Sequence, residues 1–279
     1  MSVRNPSVAT RSTATVRACA DRTALQWPGL GINYSASNSG DISRDIPILA
    51  RYFTRIRPQY PLYSADSSLQ QLICTAAKTA GLYVVWGVTT PNPCDAGTWA
   101  AFKTAVVSMA ATATSLGVDQ FSLGNECELH ADGTTLTAGT VRSDIRALAL
   151  AVKAVFGGIV SYEADQNQSA AWVSEGIGAL DKLGLNVYSN AATHAARLAA
   201  IGTGRTYVSE FNNQSGYFTA NNEAVFTNNV MERLHTIRTG GIQTAYFYNW
   251  QYDTAYQWAL HLPNGAYRQV FYPLVGVRA

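Results

Sequence analysis

Apolar residues along the chain fall alternately into short continuous runs and into stripes of helical spacing, with turn residues between them. The first run, Leu30–Tyr34, predicts a strand, and Asp41 is placed to cap the helix that follows. Ile42, Ile46, Leu49 and Phe53 then share one face of that helix. Thr54–Pro58 predicts a second strand. A helix from about Ser67 carries Leu69, Leu72, Ile73 and Ala76, and Gly81 stops it. Leu82–Val88 is apolar almost throughout, as a strand buried on both faces must be. Further strands are predicted at Gln120–Leu123, Ile159–Tyr162, Leu185–Tyr188, Thr206–Ser209 and Thr244–Asn249. Between them run helical patterns through Trp99, Phe102 and Val106, and through Ile145, Leu148, Val152 and Val155. Others cover Ala170–Leu180, Ala191–Ala200 and Glu223–Ile237, and Tyr267–Val275 is left as a closing helix.

Parallel strands need long crossovers, and this spacing supplies them. Eight βα units in 279 residues read as a closed (β/α)8 TIM barrel, α/β in class and a single domain over residues 26–279. An open doubly wound sheet would carry a Gly-rich phosphate turn after strand one; Gly29 and Gly31 fall at its start instead. Residues 1–25 read as a disordered leader. Their Ser, Thr, Arg and Ala enclose no apolar core of secretory type.

Composition narrows the partners. Only 14% of residues are charged, well under the usual quarter, so Ser, Thr, Asn and Gln must dress the surface. That suits a neutral polymer. A net charge of +2 without any basic block gives no reason to expect nucleic acid or acidic lipid. No apolar run has the length of a membrane span. The four cysteines lack metal-ligand spacing. Of the four histidines only His130 falls near a strand end, which speaks against a metal-dependent barrel hydrolase; His194 and His235 read as surface residues of helices.

Barrel chemistry sits at the C-terminal ends of the strands. Polar residues there include Asn33 in strand one, Arg57 in strand two and Asn125-Glu126 after strand four. Tyr188 follows strand six, Glu210 strand seven and Trp250 strand eight. Two glutamates thus point to one mouth from strands three apart. Glycoside hydrolysis needs such a pair, one to protonate the leaving oxygen and one to attack the anomeric carbon or activate water. Arg55 shares the parity of Arg57, but Arg57 lies nearer the catalytic end.

Leu123-Gly124-Asn125-Glu126 and Val208-Ser209-Glu210-Phe211 resemble the signature of the clan A, or 4/7, retaining glycoside hydrolases, in a family-5-like layout spanning about residues 28–275. The resemblance implies double displacement with Glu126 as acid/base and Glu210 as nucleophile. It further implies that Asn125 binds the hydroxyl beside the anomeric carbon and that Tyr188 and Arg57 keep Glu210 ionised. Trp250 would floor the sugar site. The sequence departs from the clan at Cys127, where many members carry Pro, and His130 is only near the place of a common histidine.

Lesser candidates complete the reading. Glu128 lacks the preceding Asn and is the weaker acid; Asp165 reads as a helix cap. Trp86, Tyr60, Tyr63, Tyr217, Tyr252 and Trp258 are placed to stack on sugars, with Trp86 taken as a substrate contact. A Cys94–Cys127 disulfide would brace the acid/base loop. Sequons at Asn33, Asn167 and Asn213 carry little weight. The expected protein is an extracellular, monomeric hydrolase of β-linked glucan or mannan, endo-acting, with no cofactor and an oligo- or polysaccharide partner. A transglycosylase on the same barrel, or a carbohydrate-binding barrel without activity, are the alternatives.

Overall fold

The computed structural model describes residues 27–212, 223–250, 260 and 267–276. Eight parallel strands form a closed barrel in chain order. They are β1 (Leu30–Tyr34), β2 (Arg55–Pro58), β3 (Tyr83–Gly87), β4 (Gln120–Asn125), β5 (Ile159–Asp165), β6 (Lys182–Val187), β7 (Thr206–Phe211) and β8 (Ala245–Phe247). β8 closes the ring by pairing with β1, Gly31 opposite Tyr246. The helices among the described residues are α1 (Ser39–Tyr52), α2 (Ser68–Thr79), α3 (Ala96–Ser115), α4 (Cys127–His130) and α5 (Ala138–Lys153). After them come α6 (Ser169–Glu175), α7 (Ala191–Ile201), α8 (Glu223–Thr239) and α9 (Phe271–Leu274).

Alternation along the strands sorts side chains into two cores. Ile32, Ile56, Val84, Phe121, Val160 and Leu185 point outward under helical residues such as Leu49, Phe102 and Ile145, and all are essentially inaccessible. Inside the ring Val85, Tyr207 and Tyr246 pack with Tyr83. Two glycines admit those rings: a Cβ on Gly31 would stand 2.3 Å from the Tyr246 ring, and one on Gly184 2.7 Å from that of Tyr207. Arg55 ends here, its guanidinium 4.2 Å from the Tyr83 ring centre, away from the C-terminal ends of the strands.

Four expectations change. Asn38, not Asp41, caps α1: its Oδ1 accepts from the Asp41 N–H at 3.1 Å, which puts Asp41 in the first turn. Trp86 is fully buried on the outer face of β3 and meets Phe121 edge-on, because Tyr83 and Val85 take the inward positions; it is core, not a sugar contact. Cys94 and Cys127 are separate buried thiols rather than a disulfide. His194 is buried, its Nδ1 3.1 Å from the Ser169 hydroxyl, so it ties α7 to α6 instead of facing solvent. His235 is exposed as expected. The leader lies outside the described residues, and no described helix is long and apolar enough to cross a membrane.

Candidate active site

Simple alternation would turn Asn125 and Glu210 the wrong way. In β7, Tyr207 and Ser209 face inward, so an unbroken strand would send Glu210 outward. The register with β6 instead slips between Leu185↔Val208 and Asn186↔Glu210, one extra residue on β7. The β8 side slips in step, three residues of β7 facing two. A bulge of this kind re-aims the side chain that follows it, and Glu210 turns into the barrel mouth. β4 does the same before Asn125: Ser122 pairs with Ser161, but Asn125 pairs with Glu163. Ser122 Oγ bonds the Gly124 carbonyl at 2.9 Å inside this irregularity.

Glu126 then adopts a left-handed backbone, φ 51° and ψ 28°, at the junction of β4 and α4. Non-glycine residues enter that region at a cost, and those that do cluster at functional sites. Its N–H bonds the Glu163 carbonyl at 2.8 Å, and its carbonyl takes the Leu129 N–H at 2.9 Å. The backbone of Glu126 is therefore held from both sides.

The strand ends enclose a cleft of about 430 Å³. Asn33, Arg57, Tyr60, Asn125, Glu126, His130, Tyr188, Glu210, Tyr248 and Asn249 are among its walls. Arg57 is the hub. It donates to Asn33 Oδ1 at 2.5 Å and to Asn125 Oδ1 at 2.9 Å, and pairs with Glu163 at 2.5 Å and Glu210 at 3.0 Å. Tyr188 donates its hydroxyl to the second oxygen of Glu210 at 2.5 Å. Asn186 donates to Glu126 at 2.9 Å, and Ser209 donates to Asn186 at 2.7 Å.

These contacts separate two chemically identical groups. Burial pushes the Glu126 carboxyl up to about 7, the charge of Glu210 adds to that, and the Asn186 bond works against it. Burial also raises Glu210, but Arg57 and the Tyr188 hydroxyl both oppose the rise. Only Glu210 has a cation in direct contact. These contacts favour the charged form at Glu210 and the protonated form at Glu126.

No protein-family profile matches the chain, and no curated protein matches it in sequence. Solved structures match it in shape. An exo-β-1,4-mannosidase from Opitutaceae bacterium strain TAV5 superposes with a TM-score of 0.74 at 14% identity, over 89% of this chain and 58% of that one. An endocellulase from Pyrococcus horikoshii, solved with cellotetraose, gives 0.64 at 12% identity over 88% and 92% of the two chains. A GH113 β-mannanase from Alicyclobacillus acidocaldarius gives 0.61 at 12% identity over 92% and 97%. The likeness is one of fold.

Within that fold, Asn33, Arg57, Asn125, Glu126, Tyr188 and Glu210 come together. Trp250 does not line the cleft. It is fully buried, 5.7 Å from the Tyr267 ring, because its backbone N–H bonds the Asn33 carbonyl and turns the chain back over β1. Glu128 lies behind the cleft, taking the Trp172 indole N–H at 3.1 Å and the Tyr162 hydroxyl. Asp165 caps the turn after β5 by accepting from the Asn167 N–H at 2.8 Å. Tyr63 packs edge-on against Phe102, whereas Tyr60 and His130 reach the cleft wall. Asn33, buried and doubly bonded, cannot serve as a glycan acceptor. Tyr217, Tyr252, Trp258 and the Asn213 sequon lie outside the described residues. The described residues contain no cluster suited to a metal ion. Sequence reading missed Glu163 and gave no role to Asn186 and Asn249, polar residues at the ends of strands six and eight; Asn249 is a cleft wall whose buried Oδ1 has no hydrogen-bond partner among the described residues.

Proposed function

We propose that this protein is a retaining glycoside hydrolase that cleaves β-linked glucan or mannan through its Glu126–Glu210 pair. One observation carries the reading: two buried carboxyls share a cleft at the catalytic end of the barrel, and only one is paired with a cation. The fold neighbours are named as endocellulases, β-mannanases and a mannosidase, which supports that substrate range.

In this reading Glu210 attacks the anomeric carbon while Glu126 gives its proton to the departing oxygen. Arg57 and Tyr188 aim the attacking oxygens and keep them charged. As the glycosyl–enzyme ester forms, Glu210 loses its charge, and Glu126, relieved of that neighbour, becomes the stronger acid it needs to be. Glu126 then takes a proton from the incoming water. Asn125, whose Oδ1 is occupied by Arg57 and Asn186, offers its amide N–H groups to the sugar hydroxyl beside the reacting carbon.

Product analysis against β-1,3-glucan, β-1,4-glucan, mannan and xylan tests the substrate range. On any cleaved polymer, Glu210→Ala abolishes turnover, and azide restores part of it on an activated aryl glycoside. Release of reducing ends from none of these polymers refutes the reading.

A further inference from the structure

Glu163 sits on β5 inside the ring, fully buried and apart from the cleft wall. One oxygen accepts two N–H groups of Arg57, Nε at 2.8 Å and Nη2 at 2.5 Å. The other accepts the hydroxyls of Tyr60 at 2.7 Å and Tyr207 at 2.9 Å. Four donors converge on this one side chain. The guanidinium it holds is the one that pairs with Glu210, and its other edge is fixed by Asn33 and Asn125. A single buried cation thus serves two buried anions.

We propose that Glu163 is a positioning residue for Glu210: it fixes the plane of the Arg57 guanidinium and holds part of that cation's charge away from Glu210. The inference rests on Glu210 being the nucleophile. A carboxylate locked to a whole buried cation is well ionised but poorly basic, and its pull on the anomeric carbon suffers accordingly. A second anion on the far edge of the cation weakens that grip while the geometry stays rigid. The charged and titratable neighbours of Glu210 among the described residues divide as follows. Arg57 from β2 and the Tyr188 hydroxyl after β6 favour its charge, while Glu163 from β5 opposes it. Glu126 after β4 is coupled to Glu210, and Asp165 on β5 acts on Glu126 in the same sense as Glu210 does. Tyr248 reaches the site through its edge contact with Tyr188.

The test reads the titration of Glu210 without requiring turnover. The chain has seven glutamates, so glutamate labelled with ¹³C at Cδ gives seven carboxyl resonances, and Glu210→Gln identifies the one that matters. In Glu163→Gln the Glu210 midpoint falls by about one pH unit, because the whole cation now faces it. Glu163→Asp withdraws the charge by one methylene and shifts the midpoint the same way by less, which provides a reading should the amide variant not fold. The acid limb of kcat/KM moves down with the midpoint. An unmoved or raised midpoint in whichever variant folds overturns the proposal, since a merely structural brace would lower stability alone. A lowered midpoint in a protein that cleaves no glycoside upholds the coupling and refutes the hydrolase reading instead.

Discussion

Glu126 and Glu210 carry the same side chain into the same cleft, and their neighbours alone decide which keeps the proton. In the proposed mechanism the working form holds it on Glu126. Because that carboxyl is raised to about 7, kcat/KM declines as pH rises past about 7, when the acid is lost; below the acid limb Glu210 is protonated instead. The two limbs belong to the coupled pair. Glu126→Ala erases the basic limb. It costs roughly 10²–10⁴-fold on substrates with poor leaving groups and far less on activated aryl glycosides, measured as kcat/KM on a series of leaving groups. That these side chains meet was readable in advance: Glu126, Glu210, Arg57 and Tyr188 announce themselves as polar residues at the ends of apolar strands, and all four line the cleft. Glu163 was not. Its partner Arg57 stands 106 residues away, and a lone acid inside a strand gives no sign of the cation it meets. Trp86 misled for the opposite reason: β3 is apolar on both faces, so nothing in its pattern says which way the indole points.

At the scale of elements, the eight strands were legible because parallel strands covered on both faces are nearly pure apolar runs. Their C-terminal ends were not. β4, β5 and β7 continue past the apolar run through Asn125, Asp165 and Phe211, since polar residues such as Asn125, Glu163 and Glu210 interrupt that run where a strand nears the cleft. The bulges that turn Asn125 and Glu210 inward leave no trace in composition. Short α4 follows Glu126 directly and is anchored by Glu128, whose carboxyl burial pushes up to about 8. A carboxyl raised on folding stabilises least where it is forced to ionise. The unfolded chain gives up this proton near the ordinary glutamate value, so native stability declines from there up to about pH 8. Glu128→Gln removes the liability. Chemical denaturation at pH 8 should find the variant more stable than the parent by roughly 1–3 kcal/mol, with the difference vanishing below pH 4. A parent whose stability is flat from pH 5 to 8 would show that Glu128 ionises without penalty.

For the whole molecule, the closed barrel explains why residues scattered from Asn33 to Asn249 share one cleft: every strand delivers its C-terminal end to the same mouth. The sparse charge of the chain and the exhaustion of Arg57 by its own carboxylates leave a cleft suited to uncharged sugar. The central claim is that Glu210 becomes covalently attached to that sugar while Glu126 manages the proton. Incubation with 2-deoxy-2-fluoro-β-glucosyl and -mannosyl fluorides, followed by peptide mapping, tests it most directly. The account predicts one added sugar on the peptide bearing Glu210, and none in Glu210→Gln. An adduct on another residue, or an active enzyme that forms no adduct and releases product of inverted anomeric configuration, would contradict it.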